Sequence, residues 1–177
     1  METFDRARLD TFFGRIVREF TPAQRPTSVL VTHLLPDGHL APRLRTPHTD
    51  VIDHLDAHPG EYDVLYSVFG GFDFADPRRL LPAAARALRP GGLLAASTLG
   101  HYVGGAPAEP DVRHADIPAR TPDGTATTMR RWVLQEHVWT KLLDEAGFTG
   151  ISIERLPPAN SGARSADTLL VRAHRHR

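Results

Sequence analysis

The chain has no cysteine and only two methionines, and aromatic residues make up 7% of its 177 positions. Without cysteine there are no disulfides and no thiolate metal sites, which fits a reducing compartment. Charge of one sign is also missing. Twenty-one basic residues balance twenty-one acidic ones, so nothing in the bulk charge attracts nucleic acid. No apolar run approaches the ~20 residues that a membrane-crossing helix needs. The opening METFDRARLD lacks the basic-then-apolar layout of a secretory signal. Together these absences predict a soluble cytoplasmic protein with neither a nucleic-acid nor a membrane partner.

Glycine is scarce where it would matter most. Before residue 60 the only glycines are Gly14 and Gly38, too few for the tight turn that cradles a phosphate or cofactor after a first strand. The sequence also has no His-Glu-x-x-His zinc pattern and no Gly-x-Ser-x-Gly nucleophile elbow, and we expect no metal. What hydrophobic content there is, 41%, suffices for one compact core.

The elements follow from periodicity. Phe4, Leu9, Phe12, Phe13, Ile16, Val17 and Phe20 recur at helical spacing and predict an amphipathic helix within residues 1–26. It could pack on the sheet, or serve as a lid or dimer contact. Residues 27–35 (TSVLVTHLL) are strand-like, and Pro36-Asp37-Gly38 a turn. Residues 62–69 (YDVLYSVF) form a nearly continuous apolar strand, as a sheet covered on both faces requires. Asp76 and Pro77 predict a capped helix start, with Pro82 expected to kink or restart the helix. Residues 89–92 (RPGG) read as a turn into a strand at 93–99. Residues 100–130 are polar, proline-bearing and aperiodic, long enough to predict a binding or lid loop. Residues 130–134 are strand-like. Residues 136–146 form a helix ended by Gly147, two antiparallel strands close the chain, and residues 172–177 are a solvated end.

Ligands of open α/β sheets bind beyond the carboxyl ends of strands. That places Ser67, Phe69, Gly70, Phe72 and Asp73 at the rim of a site, with His101 and Tyr102 just past the next strand. Histidine can act as a base near neutral pH and tyrosine can orient a polar substrate, although His101 is one of ten histidines.

The segment YDVLYS at 62–67 resembles the fourth strand of class I S-adenosylmethionine-dependent methyltransferases. The run LLPAAARALRPGG at 80–92 is similar to the helix and turn before their fifth strand, and EHVWTKLLDEAGF at 136–148 to their last helix. The likeness runs from about Val51 to the end and is nearest to small-molecule methyltransferases of actinobacterial biosynthesis. It implies an α/β fold, a truncated or rebuilt Rossmann-like sheet that is mostly parallel with a terminal antiparallel hairpin, spanning residues 27–177. It implies transfer of a methyl group from S-adenosylmethionine to a small-molecule acceptor. The matching positions make Asp53, Ser67, Val68, Phe69 and Gly70 cofactor-binding and His101 and Tyr102 acceptor-facing, with Asp37 or Asp50 standing for the ribose-binding acid. The glycine-rich cofactor loop of that family is absent here. Two other readings therefore stay open: a cyclase or isomerase using the acceptor pocket, and a non-catalytic binding module. A shortened sheet leaves apolar edges to cover, which predicts a homodimer with Phe12, Phe13 and Ile16 at the contact.

Overall fold

The computed structural model describes residues 29–31, 49–121, 123–158 and 165–177. The expected amino-terminal helix, its dimer contact and the boundary at residue 26 lie outside these residues, as does Asp37. Strand β1 (Val29–Val31) comes first, then helix α1 (Val51–Ala57), strand β2 (Tyr62–Val68), the short helix α2 (Gly71–Phe74), helix α3 (Pro77–Ala87) and strand β3 (Leu88–Leu99). A ribbon of β4 (Ala115–Arg120) and β5 (Ala126–Arg131) follows, then helix α4 (Glu136–Glu145), β6 (Phe148–Leu156) and β7 (Thr168–Arg175).

Five strands make one sheet in the order β1-β2-β3-β7-β6, and β4-β5 form a separate two-stranded sheet. The expectation of a mostly parallel sheet is corrected here. β1 and β3 run parallel to β2, but β3-β7, β6-β7 and β4-β5 are all antiparallel. Antiparallel pairing therefore predominates among the described residues. The cause is local: a helical crossover joins β2 to β3, which permits a parallel pair. The closing hairpin then inserts β7 beside β3 rather than at the sheet margin, adding a second antiparallel junction.

One sheet face carries the main core. Leu65, Leu94, Ala96, Leu169, Val171 and Ala173 pack there against residues of α1, α3 and α4. Phe72 stacks on Trp139 with ring centroids 4.3 Å apart, joining α2 to α4. Val64, Leu93 and Ala95 form a second buried cluster with Tyr66 beside it, to which no described helix contributes.

Helix α3 starts as its sequence predicts: the Asp76 carboxylate accepts the Arg78 N–H at 2.9 Å, with Pro77 in the first turn. Pro82 does not break it, since the helix runs on to Ala87. Burial of Leu80, Leu81, Ala83, Ala84 and Ala87 outweighs the one hydrogen bond that proline removes. The RPGG segment is a bulge rather than a free turn, because Tyr62 pairs with Leu88 while Val64 pairs with Leu93. Gly91 supplies its positive φ of 78°, and Arg89 pins it through its Nη1, which donates to both Asp63 oxygens at 2.8 and 2.9 Å. The carboxyl tail is not simply solvated. Arg172–Arg175 belong to β7, where alternation puts Val171 and Ala173 into the core.

Candidate functional site

The residues expected to form a site gather at the carboxyl ends of β2 and β3. Ser67 is buried on the last turn of β2, and its hydroxyl accepts the Phe72 N–H at 3.3 Å. Val68 ends the strand, paired with Ser97. Phe69 has φ of +44°, the only positive value at a non-glycine among the described residues. That backbone is costly for a bulky side chain, and it is held by a bond from the Phe69 N–H to the Ser97 carbonyl at 3.1 Å. Gly70, with φ −120° and ψ −127°, then turns the chain into α2, a conformation open to glycine. So the strand exit is a rigid corner fixed to β3.

Asp53 stands apart. It is exposed in the first turn of α1, and its N–H bonds the Asp50 carboxylate at 3.3 Å. Asp50 is the helix cap, accepting also from Ile52 at 2.9 Å. Its carboxylate is thus employed in starting α1. Between α1 and the end of β2 lies a void of about 20 Å³, lined by Val51, Leu55, Leu65, Ser67, Gly71 and Phe72 among others. Such a space admits about one water. S-adenosylmethionine, a nucleoside joined to an amino acid, needs a pocket of several hundred Å³ (~300 or more) with groups for its hydroxyls and charges. No carboxylate lines this void, and the hydroxyl of Ser67 beside it accepts the Phe72 N–H. This void by itself does not hold the cofactor.

Just past β3, His101 is engaged on both ring nitrogens. Its Nδ1 lies 2.9 Å from the Tyr102 carbonyl, and its Nε2 accepts the Asp167 N–H at 3.3 Å. This pattern calls for the tautomer with hydrogen on Nδ1. His101 therefore bridges the exit of β3 to the entrance of β7. Gly100 adds a bond from its N–H to the Asp167 carbonyl at 2.7 Å. Arg155 clasps the same corner through Asp167 at 2.9 Å and Glu136 at 2.6 Å, and both carboxylates raise its pKa.

Tyr102 is partly buried beside Phe69 against Leu99, Ala108 and Val133. Its hydroxyl donates to the Glu109 carboxylate at 3.4 Å. Burial first, then the charge and hydrogen bond of Glu109, push its pKa up to about 12, partly offset by the Arg131 charge. The hydroxyl accordingly keeps its proton at neutral pH. Glu109 is fixed by its backbone, whose N–H bonds the Val133 carbonyl at 2.8 Å and whose carbonyl accepts the Gln135 N–H at 3.0 Å.

Asp73 of α2 is fully buried and pairs with Arg131 of β5 at 2.9 Å. The guanidinium also lies 5.3 Å from the Phe74 ring centre, a cation–π contact, and the Trp132 N–H bonds the Asp73 carbonyl at 2.8 Å. The expected loop after β3 therefore holds, from Ala115 to Arg131, a ribbon whose root is bolted to α2. Sequence reasoning placed Asp73, His101 and Tyr102 at this edge but missed Glu109 and Arg131. Arg131 comes from 58 residues beyond Asp73, and no local pattern signals such a pairing. Among the described residues no group of three or more metal-ligating side chains occurs, and no helix is long and apolar enough to cross a membrane.

No family model matches the chain, and no curated protein does. Solved structures do. A Listeria monocytogenes protein named for S-adenosylmethionine-dependent methyl transfer superimposes with a TM-score of 0.57 at 15% identity, over 93% of this chain and 87% of its own. An S-adenosylmethionine-dependent methyltransferase from Mesorhizobium loti gives 0.52 at 20% identity, over 93% and 86%. A possible exported protein from Bordetella parapertussis gives 0.51 at 19% identity, over 96% and 68%. The chain thus has the α/β, Rossmann-like fold of class I methyltransferases. At these identities the likeness is one of fold, and fold alone leaves activity open.

Proposed function

We propose that the chain is a small-molecule methyltransferase of the S-adenosylmethionine-dependent kind, with its acceptor at the carboxyl ends of β2 and β3. The supporting observation is the cluster built there. Phe69 and Asp73, Tyr102 and Glu109, and Arg131 come from three separate stretches of chain and gather at the edge where this fold meets its substrates. Tyr102 would orient the acceptor, and the ribbon β4-β5 would bound it. The described residues supply this acceptor side and not a cofactor bed, so Ser67, Val68, Phe69 and Gly70 serve in this reading as the wall between the two. Protein help to methyl transfer is chiefly positioning, which a rigid strand corner provides. The proposal includes a cytoplasmic homodimer and a role in secondary metabolism. Calorimetric titration with S-adenosylmethionine tests its core: absence of heat at millimolar cofactor would sink it, and a stable 19.5 kDa species in light scattering would remove the dimer.

One observation favours a second reading, a methyltransferase-like protein without methyl transfer. The void beside β2 is small and apolar, and both His101 nitrogens are committed within the protein. A chain that binds a small acceptor but not the cofactor would match this reading, as a cyclase, an isomerase or a dimeric binding module.

A further inference from the structure

The amino-terminal end of β2, opposite the acceptor edge, carries a cluster that the proposed function does not use. His54 lies in the last turn of α1, and His58 is the residue that caps its carboxyl end. Four-residue spacing sets both imidazoles on one face of the helix end. Their ring centres are 4.2 Å apart and tilted by 32°. Each also lies 6.3 Å from the ring of Tyr62, the first residue of β2. His54 and His58 have the histidine spacing of the zinc-binding His-Glu-x-x-His pattern, with Leu55 where that pattern has its glutamate. The two ligands are present and the general base is absent.

Hydrogen bonding decides which nitrogens are available. His58 Nδ1 is 2.6 Å from the His54 carbonyl, an acceptor, so Nδ1 carries the hydrogen and Nε2 keeps its lone pair. His54 Nε2 is 2.8 Å from the Tyr62 hydroxyl, and when it donates there the lone pair falls on Nδ1. Neither remaining nitrogen has another hydrogen-bond partner among the described residues. A carbonyl or hydroxyl on the second nitrogen of each ring is the arrangement that orients metal-ligating histidines. Two nitrogens bonded to one cation at ~2.0–2.1 Å stand at most about 4 Å apart, a spacing that rings this close can meet. Burial first, then the His58 charge, lower the His54 pKa, with Glu61 acting the other way. His54 is therefore neutral at pH 7, as a ligand must be, and Glu61 places negative charge nearby.

The helix end is also fixed in advance. Asp56 pairs with Arg86 of α3 at 2.6 Å, and the Gly60 N–H bonds the Arg86 carbonyl at 2.9 Å. Gly60 makes the turn into β2 with a φ of 66°.

We propose that His54 and His58 form a two-histidine site for a borderline divalent cation such as Zn²⁺ or Ni²⁺, with Tyr62 orienting His54. Two protein ligands are fewer than the four of a structural zinc site, so water completes the shell and the cation exchanges. When bound, the cation fastens the end of α1 and, through Tyr62, the start of β2. The inference does not depend on methyl transfer.

The test is calorimetric titration of the untagged full chain with Zn²⁺, Ni²⁺ and Mg²⁺ at about pH 7.5, where the histidines are neutral. Zn²⁺ and Ni²⁺ should bind and Mg²⁺ should not, because imidazole suits the first two and oxygen ligands the third. His54→Gln or His58→Gln should weaken Zn²⁺ at least about tenfold, and Tyr62→Phe about tenfold, while circular dichroism stays that of the parent. Replacing His174 and His176 together by Gln should change the affinity less than about twofold. In NMR, substoichiometric Cu²⁺ should broaden the His54 and His58 ring signals before those of any other histidine. Absence of Zn²⁺ binding, equal binding of Mg²⁺, first broadening at another histidine, or an affinity that both single variants leave unchanged overturns the proposal.

Discussion

Two carboxylates at the same sheet edge meet donors in very different surroundings. Asp73 is fully buried, and its partner Arg131 has a side chain only 14% exposed. Glu109 and Tyr102 are half-open, joined by a long bond of 3.4 Å. The first pair is surrounded by packing and holds α2 to the ribbon, so its members have no freedom to meet a ligand. The second pair is loosely joined, and its tyrosine lies against Leu99, Ala108 and Val133. Burial thus divides the cluster into a fixed joint and a looser pair. A buried pair gives little net stability when intact but is costly to halve, whereas a half-exposed one costs little to alter.

This contrast can be broken or sharpened by substitution. Arg131→Ala should have the largest effect, leaving Asp73 buried without its cation and costing about 3–5 kcal/mol in urea unfolding. A loss under ~1 kcal/mol would mean that the joint is not a joint. Gly100→Ala comes next. A Cβ there would stand 2.9 Å from Arg155 Nη1 and 3.0 Å from the Asp167 Cβ, so we expect about 1–3 kcal/mol from overpacking, read as a lowered thermal midpoint. His101→Phe removes the bridge between β3 and β7 and should cost about 1–2 kcal/mol. If turnover instead falls a hundredfold or more (~10²) with stability intact, His101 is a base and not a bridge.

Tyr102→Phe should change stability least at neutral pH, and its effect appears in alkali. The folded state holds the Tyr102 proton up to about 12, above the ordinary value near ~10. A raised folded pKa means that stability is present below the unfolded value and is lost as pH rises from there through the folded one. The parent should therefore lose stability over that window and the Phe variant lose less. Equal alkaline slopes in chemical unfolding would show that Tyr102 is not held by this environment.

The elements of this edge were legible in sequence to different degrees. The apolar run of β2, the Asp76-Pro77 start of α3, the Gly147 end of α4 and the final hairpin all rest on local patterns, and all occur. The ribbon was not legible. Its residues are mostly exposed, and Ala, Pro and Thr in it dilute the alternation that marks a strand. Glu109 and Arg131 were missed because their importance lies in partners brought together by the fold. The mixed strand directions were hidden for a related reason. A strand's own residues do not say whether its neighbour enters by a crossover or by a hairpin.

The Glu109 N–H bonds the Val133 carbonyl, and the Gln135 N–H bonds the Glu109 carbonyl. The chain therefore departs toward the ribbon and comes back from it at almost one point. The stretch between, with β4 and β5 in it, is an excursion with coincident ends. An excursion of this kind can be lengthened or shortened at its outer end without displacing β3 or β7, because closing a loop of a different size changes the free energy only slowly with length. The crossing at Glu109 thus acts as a graft junction, through which a different ribbon could be installed on an unchanged sheet.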